Sequence, residues 1–129
     1  RGETRAPRHV VRTPPRPDSM ALRGEVTVAD CGGERVRRNG SAPLITGTHA
    51  DTDQVTNHLF RADGEQQWTW ERLPHSYHGS GCTLASSIAC LRGHGESLAD
   101  AVADGQAHVD RFLRNAFRPG QGQHVPDRR

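Results

Sequence analysis

Residues 77–89 have the sequence YHGSGCTLASSIA, in which two glycines stand directly before a run of small and apolar residues. This pattern predicts a glycine turn that opens into a helix, and the helix is ended by Gly93 and Gly95. Glycines let successive backbone N–H groups point outward together, and the N-terminus of a helix adds partial positive charge. The stretch therefore predicts an anion site at the beginning of a helix.

Cys82 lies in the first turn of this predicted helix, where the field of the helix N-terminus favours the thiolate form. A thiolate beside an anion site suits two chemistries, a cysteine nucleophile or a base beside a transferring phosphoryl group. The turn is not a Walker A loop, because the chain has no lysine, and it is not a G-x-G-x-x-G fingerprint. The residues alone also leave a purely structural turn open.

Upstream of the turn, the pattern predicts strands. Residues 44–46 form a short apolar run before Gly47, which is typical of a buried strand that ends at a turn. Apolar and polar residues alternate over 55–60 and again over 67–73, with a turn signal at 62–65 between them. This arrangement predicts a hairpin with a longer-than-minimal loop, whose two tryptophans pack on the sheet.

A second helix is predicted downstream. Ser97 is a good N-cap, and Asp100 follows it at the spacing of a capping box. Apolar residues recur on one stripe at helical spacing up to Ala116, and Pro119 with Gly120 is expected to end the helix. Residues 123–129 form a polar tail. The order of strand, hairpin, glycine turn and two helices indicates the end of an α/β domain rather than a whole one.

The first 42 residues differ from the rest. All 17 basic residues are arginines, and nine of them lie within residues 1–40 against five acidic residues, although the net charge of the chain is only +2. Five of the eight prolines lie in the first 43 residues. We therefore predict that residues 1–42 are a degenerate or poorly ordered Arg/Pro-rich segment. The segment lacks interleaved aromatic residues, which disfavours a nucleic-acid-binding arm.

Several other classes are disfavoured by the composition. No apolar run is long enough to span a membrane, and no secretory signal is visible, so a cytoplasmic location is expected. The three cysteines, Cys31 among them, have no paired C-x-x-C spacing, which argues against a disulfide framework. His75, His78 and Cys82 lack an evident fourth metal ligand, and the two histidines are interpreted as turn residues beside an anion site. Cys90 is predicted to be a small core residue. The missing initiator Met favours a partial reading frame or a fragment.

Residues 43–122 resemble the C-terminal half of bacterial hydroxymethylpyrimidine/phosphomethylpyrimidine kinase, the thiamine-pathway member of the ribokinase superfamily. The resemblance rests on LITGTHAD at 44–51, HGSGCT at 78–83 and SLADAV at 97–102. Most ribokinase relatives have Asp where Cys82 stands, whereas the pyrimidine kinases have Cys. The resemblance implies an α/β fold that is the C-terminal portion of a ribokinase-like αβα sandwich, and therefore incomplete.

The resemblance also implies a reaction and a site. ATP and Mg²⁺ would phosphorylate 4-amino-5-hydroxymethyl-2-methylpyrimidine and then its monophosphate, and Cys82 would be the base or hydrogen-bond partner at the attacking oxygen. The phosphoryl group would be held by the amides of Gly79, Ser80 and Gly81, and the nucleotide would lie near Thr46 and Gly47. Residues 13–18, TPPRPD, stand where the family has T-P-N-x-P-E, so only the shorter carboxylate of Asp18 is left to support the metal.

Three functions follow from these observations. The first is an active pyrimidine kinase whose partners are the pyrimidine substrate and ATP, with a homodimer left open. The second is a truncated, non-catalytic remnant of that kinase that retains a nucleotide-side half-site. The third, a nucleic-acid-binding protein with a basic arm, is the least favoured.

Overall fold

A computed structural model describes residues 42–47 and 52–129, in which three strands are followed by two helices. The elements are β1 (Leu44–Ile45), β2 (Gln54–Arg61), β3 (Gly64–Glu71), α1 (Ser80–Gly93) and α2 (Leu98–Arg114). The strands form one sheet in the order β1-β2-β3. The predicted order of elements is confirmed. The interpretation of residues 1–41, including Asp18 and Cys31, lies outside the described residues.

The chain divides into two compact units, Arg1–Trp70 and Glu71–Arg129. In the first unit, β1 pairs with β2 in antiparallel fashion, and Leu44 lies opposite Leu59. These two leucines are almost fully buried, and Ile45 and Phe60 are buried beside them. The apolar residues of β1 and the alternating residues of β2 therefore form a small core, as their pattern predicts.

The hairpin between β2 and β3 is tighter than the sequence suggests. Only Ala62 and Asp63 lie between the two strands, and β3 begins at Gly64, whose φ of 147° is one that other residues rarely adopt. The prediction of a longer loop over 62–65 is wrong, because Gly64 and Glu65 already belong to β3. The carboxylate of Glu65 accepts a hydrogen bond of 2.7 Å from His58 Nδ1. This bond is the main cause of the lowered pKa of Glu65.

The second unit is built on α1 packed against α2. The buried residues at this packing surface include Leu84 and Ile88 from α1 and Ala101 and Val102 from α2. Gly105 permits the close approach of the helices, because a Cβ atom there would lie 2.8 Å from Cγ1 of Ile88. Small residues on α2 therefore set the distance between the two helices.

Both ends of α2 have identifiable caps. Ser97 Oγ accepts a hydrogen bond of 3.2 Å from the amide of Asp100, so the predicted N-cap is confirmed. The predicted end at Pro119 is wrong, because the helix ends at Arg114. The side chain of Asn115 donates to the carbonyl of Arg111, and Phe117 then pairs with Val125 in an antiparallel bridge.

The polar C-terminal residues return to the body of the second unit. His124 forms a parallel bridge with Tyr77, and Pro126 is buried. The amide of Asp127 donates a hydrogen bond of 3.1 Å to the carbonyl of Phe112. The tail is therefore polar in composition but fixed to the segment that precedes α1 and to the end of α2.

Candidate functional site

The glycine turn lies at the beginning of α1, as the sequence predicts. Gly79 is the N-cap residue and has φ 86° and ψ 6°, a left-handed conformation that favours glycine. Its carbonyl oxygen accepts two hydrogen bonds from Thr83, one from the amide at 3.0 Å and one from Oγ1 at 2.7 Å. These bonds close the first turn of the helix while the backbone direction changes at Gly79.

The next three amides are open. Within the described residues, no hydrogen bond uses the N–H groups of Ser80, Gly81 or Cys82, and no side chain caps the helix. A free set of donors at a helix N-terminus, combined with the partial positive charge there, is suited to an anion. The structure thus gives the predicted turn the geometry of an anion-binding site.

Gly81 supports this interpretation by a separate argument. It has no positive φ, and a Cβ atom added to it would meet no heavy atom within 4 Å. The fold therefore does not require glycine at this position, and alanine is the better helix former. A bare backbone at Gly81 leaves its amide and those of its neighbours accessible to a bulky ligand.

The chain that enters the turn is held by the C-terminal segment. The amide of His124 donates to the carbonyl of Ser76 at 2.9 Å, and the amide of His78 donates to the carbonyl of His124 at 2.8 Å. The ring of His75 stacks on His124, with centroids 4.0 Å apart. The pKa of His124 is lowered from its usual 6.5, mainly by desolvation and then by the charges of His75 and Arg118.

Cys82 lies at one end of an open groove on the surface of the second unit. The groove has a volume of about 480 Å³, and its other lining residues include Cys90, His108, Phe112 and Arg128. Both cysteines are exposed. The prediction that Cys90 belongs to the core is wrong, because Leu84 and Ile88 take the buried face of α1 and Cys90 lies on the open face with Cys82.

Arg128 is a residue of this site that the sequence analysis missed. Its Nε donates a hydrogen bond of 3.1 Å to Oγ1 of Thr83, in the first turn of α1. The two residues are 45 positions apart, and Arg128 stands in a tail without helix or strand periodicity. No local signal could therefore have indicated this contact.

Thr46 and Gly47, the predicted nucleotide-side residues, lie directly after β1 in the first unit. The amide of Gly47 donates a hydrogen bond of 3.1 Å to Oδ1 of the buried Asn57. A Cβ atom at Gly47 would overlap with the carbonyl oxygen of Thr56. Glycine is thus required at this position by the close passage of the β2 backbone.

The candidate metal ligands are not brought together. In residues 42–47 and 52–129, no group of three or more His, Cys, Asp or Glu side chains could hold a metal ion. Asp18 lies outside the described residues.

In residues 42–47 and 52–129, no helix is both long and apolar enough to cross a membrane.

Sequence comparisons match most of the chain. The family model described as phosphomethylpyrimidine kinase matches residues 4–127, a range that extends upstream of the segment on which the resemblance was based. The hydroxymethylpyrimidine/phosphomethylpyrimidine kinase of Escherichia coli is 32% identical over 111 residues, and that of Salmonella typhimurium is 30% identical. Both alignments cover 81% of this chain and 42% of the relative, so the chain spans about two fifths of the length of these relatives.

Solved structures give the same answer for the fold. The pyridoxal kinase of Staphylococcus aureus in complex with ADP is 25% identical, with a TM-score of 0.63 over 67% of this chain and 32% of that chain. An ADP complex of Bacillus subtilis pyridoxal kinase has a TM-score of 0.69 at 17% identity, over 81% of this chain and 41% of that one. The expected α/β, ribokinase-like fold class is confirmed. The chain belongs to the phosphomethylpyrimidine kinase family.

Proposed function

We propose that this chain supplies the phosphoryl-transfer part of a kinase that uses ATP to phosphorylate hydroxymethylpyrimidine and its monophosphate. The observation that carries this proposal is the set of open amides at Ser80, Gly81 and Cys82, next to an exposed cysteine side chain. The names of the Escherichia coli and Salmonella typhimurium relatives support the substrate class. ATP as the donor is supported by the ADP and AMP-PCP complexes of the related pyridoxal kinase.

The chemistry of the turn fits phosphoryl transfer. The transferred group carries negative charge on its equatorial oxygens, and catalysis consists mainly of positioning and electrostatic stabilisation. Preorganised amides at a helix N-terminus stabilise such charge without reorganising during the reaction. We assign this role to Gly79, Ser80 and Gly81. The left-handed Gly79 sets the direction of the amides that follow it, and the open amide of Cys82 adds a further donor.

Cys82 is assigned the role of base or hydrogen-bond partner at the attacking hydroxyl of the substrate. It stands in the first turn of α1 beside the open amides, and its side chain is exposed to the groove. A group in this place could accept the proton of the hydroxyl as its oxygen bonds to the γ-phosphorus of ATP, while the bond from that phosphorus to the β–γ bridging oxygen breaks and ADP leaves. Thr46 is assigned to the nucleotide side, where Gly47 shapes the turn and its amide is already bonded to Asn57.

We also propose Mg²⁺ as a cofactor, because the resemblance to the kinase family implies it. A bound Mg²⁺ would neutralise charge on the ATP phosphates. Asp18 supplies the one carboxylate that we assign to its support. The described residues contain no further cluster of ligands for it.

A second function, a non-catalytic remnant with a half-site, is favoured by a different observation. The chain covers 42% of the length of the Escherichia coli and Salmonella typhimurium relatives, and catalysis requires both reactants to be held in one geometry. A remnant would bind the phosphate part of ATP at the turn of α1 but would not turn over hydroxymethylpyrimidine.

The two functions are separated by one assay with two variants. The purified chain is incubated with ATP, Mg²⁺ and hydroxymethylpyrimidine, and product is measured for wild type, Cys82→Ala and Cys90→Ala. Cys90 is a matched control because it is an exposed cysteine on the same helix and groove. An active kinase loses about 10²–10⁴-fold in rate with Cys82→Ala and nothing with Cys90→Ala.

Two other results are decisive. Equal rates for Cys82→Ala and wild type would contradict the role of Cys82. No turnover by any form, with ATP binding retained, would establish the remnant.

A further inference from the structure

We propose that Arg128 is a positioning residue that binds the phosphate group held at the turn of α1. This inference rests on the proposed function, because it adds a side-chain donor to the same phosphoryl site. It concerns a residue of the C-terminal segment, 46 positions after Cys82 in the chain.

The position of Arg128 is fixed by a chain of hydrogen bonds. Its Nε donates to Oγ1 of Thr83 at 3.1 Å, and that hydroxyl donates to the carbonyl of Gly79 at 2.7 Å. The terminal nitrogen Nη2 is close to the turn as well, since a Cβ atom at Gly79 would lie only 3.2 Å from it. The guanidinium group therefore lies against the residue that begins the anion site.

The charge of Arg128 is not used elsewhere in the described part of the chain. No ion pair of the described residues includes it, and its neighbour Asp127 is paired with Arg129 at 2.9 Å. That pairing also lowers the pKa of Asp127, so this carboxylate is ionised and bonded to Arg129. With Nε bonded to Thr83, the two terminal nitrogens of Arg128 remain as a fork for a phosphate oxygen pair.

The segment that carries Arg128 is itself anchored. The amide of Asp127 donates to the carbonyl of Phe112, and His124 is bonded on both sides to residues 76 and 78. Pro126 is buried between these anchors. A side chain on such a segment loses less conformational entropy when it binds an anion than one on a free chain end.

The physical consequence is a site with two kinds of donors. The backbone amides of α1 approach the anion from the helix axis, and the guanidinium group supplies a full positive charge from the C-terminal segment. Charge-assisted bonds from arginine to phosphate are roughly twice as strong as neutral ones and favour planar, bidentate geometry. Arg128 would thus orient the phosphoryl group as well as attract it.

The test measures pyrophosphate binding by calorimetry at two salt concentrations for wild type, Arg128→Ala, Arg128→Lys and Arg118→Gln. Arg118 is the matched control because it lies in the same segment, is exposed, and bonds to the carbonyl of Gln121 rather than to a carboxylate. We expect Arg128→Ala to weaken binding about tenfold and to reduce its salt dependence. Arg128→Lys should recover part of the affinity, and Arg118→Gln should stay within about twofold of wild type.

Each other outcome is decisive. The assignment of Arg128 would be overturned by any of three results. These are equal affinities for Arg128→Ala and wild type, an equal loss of affinity with Arg118→Gln, and a wild-type chain that binds no pyrophosphate. The failure of the proposed function would look different. Pyrophosphate binding would still depend on Arg128, while Cys82→Ala and wild type would form no phosphorylated pyrimidine.

Discussion

Gly47 lies in a turn after β1, and Gly79 lies in a turn directly before α1. Glycine is required in these two turns for different reasons. At Gly47 the backbone of β2 passes so close that no side chain fits, and the amide is bonded to Asn57. At Gly79 a left-handed backbone turns the chain, and the amides that follow have no partner among the described residues. The amide in the first turn is already bonded within the fold, whereas the amides after the second turn have no partner among the described residues.

The largest expected effect comes from filling the closed turn. Gly47→Ala should destabilise the chain by about 3 kcal/mol, because the added methyl overlaps with backbone atoms of Thr56 that cannot move independently. Urea unfolding measures the change in the free energy of unfolding. Gly120→Ala is the control, since a Cβ atom there meets nothing within 4 Å, and its stability should match that of wild type.

A smaller effect is expected at the open turn. Gly79→Ala should lower the free energy of unfolding by about 1 kcal/mol, because an L-residue is forced into a left-handed conformation. The methyl group would also press on the end of Arg128, which is a flexible side chain. Urea unfolding and pyrophosphate calorimetry should both register the change, and unchanged values in both would break the distinction between the two turns.

Gly81→Ala sharpens the comparison by separating stability from binding. The variant should be as stable as wild type or more stable by about 0.5 kcal/mol, because alanine favours the helix and meets open space. Pyrophosphate binding should nevertheless fall, because the methyl group covers the amides. A variant that is stable and binds as well as wild type would mean that the site does not need a bare backbone.

The smallest expected effect is a pH dependence at the segment that holds the open turn. The pKa of His124 is lowered from 6.5 in the folded chain, so the unfolded chain binds more protons near that pH. The free energy of unfolding should therefore decrease as the pH falls below about 6.5. His124→Gln should reduce this slope in pH-dependent urea unfolding. Equal slopes for His124→Gln and wild type would contradict the assignment.

The sequence predicts those parts of the molecule whose cause is local. The helix cap at Ser97, the glycine turn at 79 and the strand at Leu44–Ile45 all depend on neighbouring residues, and the structure confirms them. The family resemblance also depends on short motifs, and the family match confirms it.

The predictions that the structure contradicts, and the contacts that the sequence does not indicate, depend on residues far apart in the chain. The sequence predicts Cys90 in the core, but the buried face of α1 is decided by where α2 packs. The end of α2 and the position of Arg128 depend on the return of the C-terminal segment to residues 76–78 and to Thr83. Pairings across such separations leave no period in the sequence.

The central claim is that an anion binds to the amides at the beginning of α1 and not to the amide of Gly47. Titration of ¹⁵N-labelled protein with pyrophosphate, followed by the amide resonances, tests it directly. We expect the resonances of Ser80, Gly81 and Cys82 to shift together with one dissociation constant, while the Gly47 resonance stays in place. Shifts at Gly47 without shifts at these three amides would contradict it.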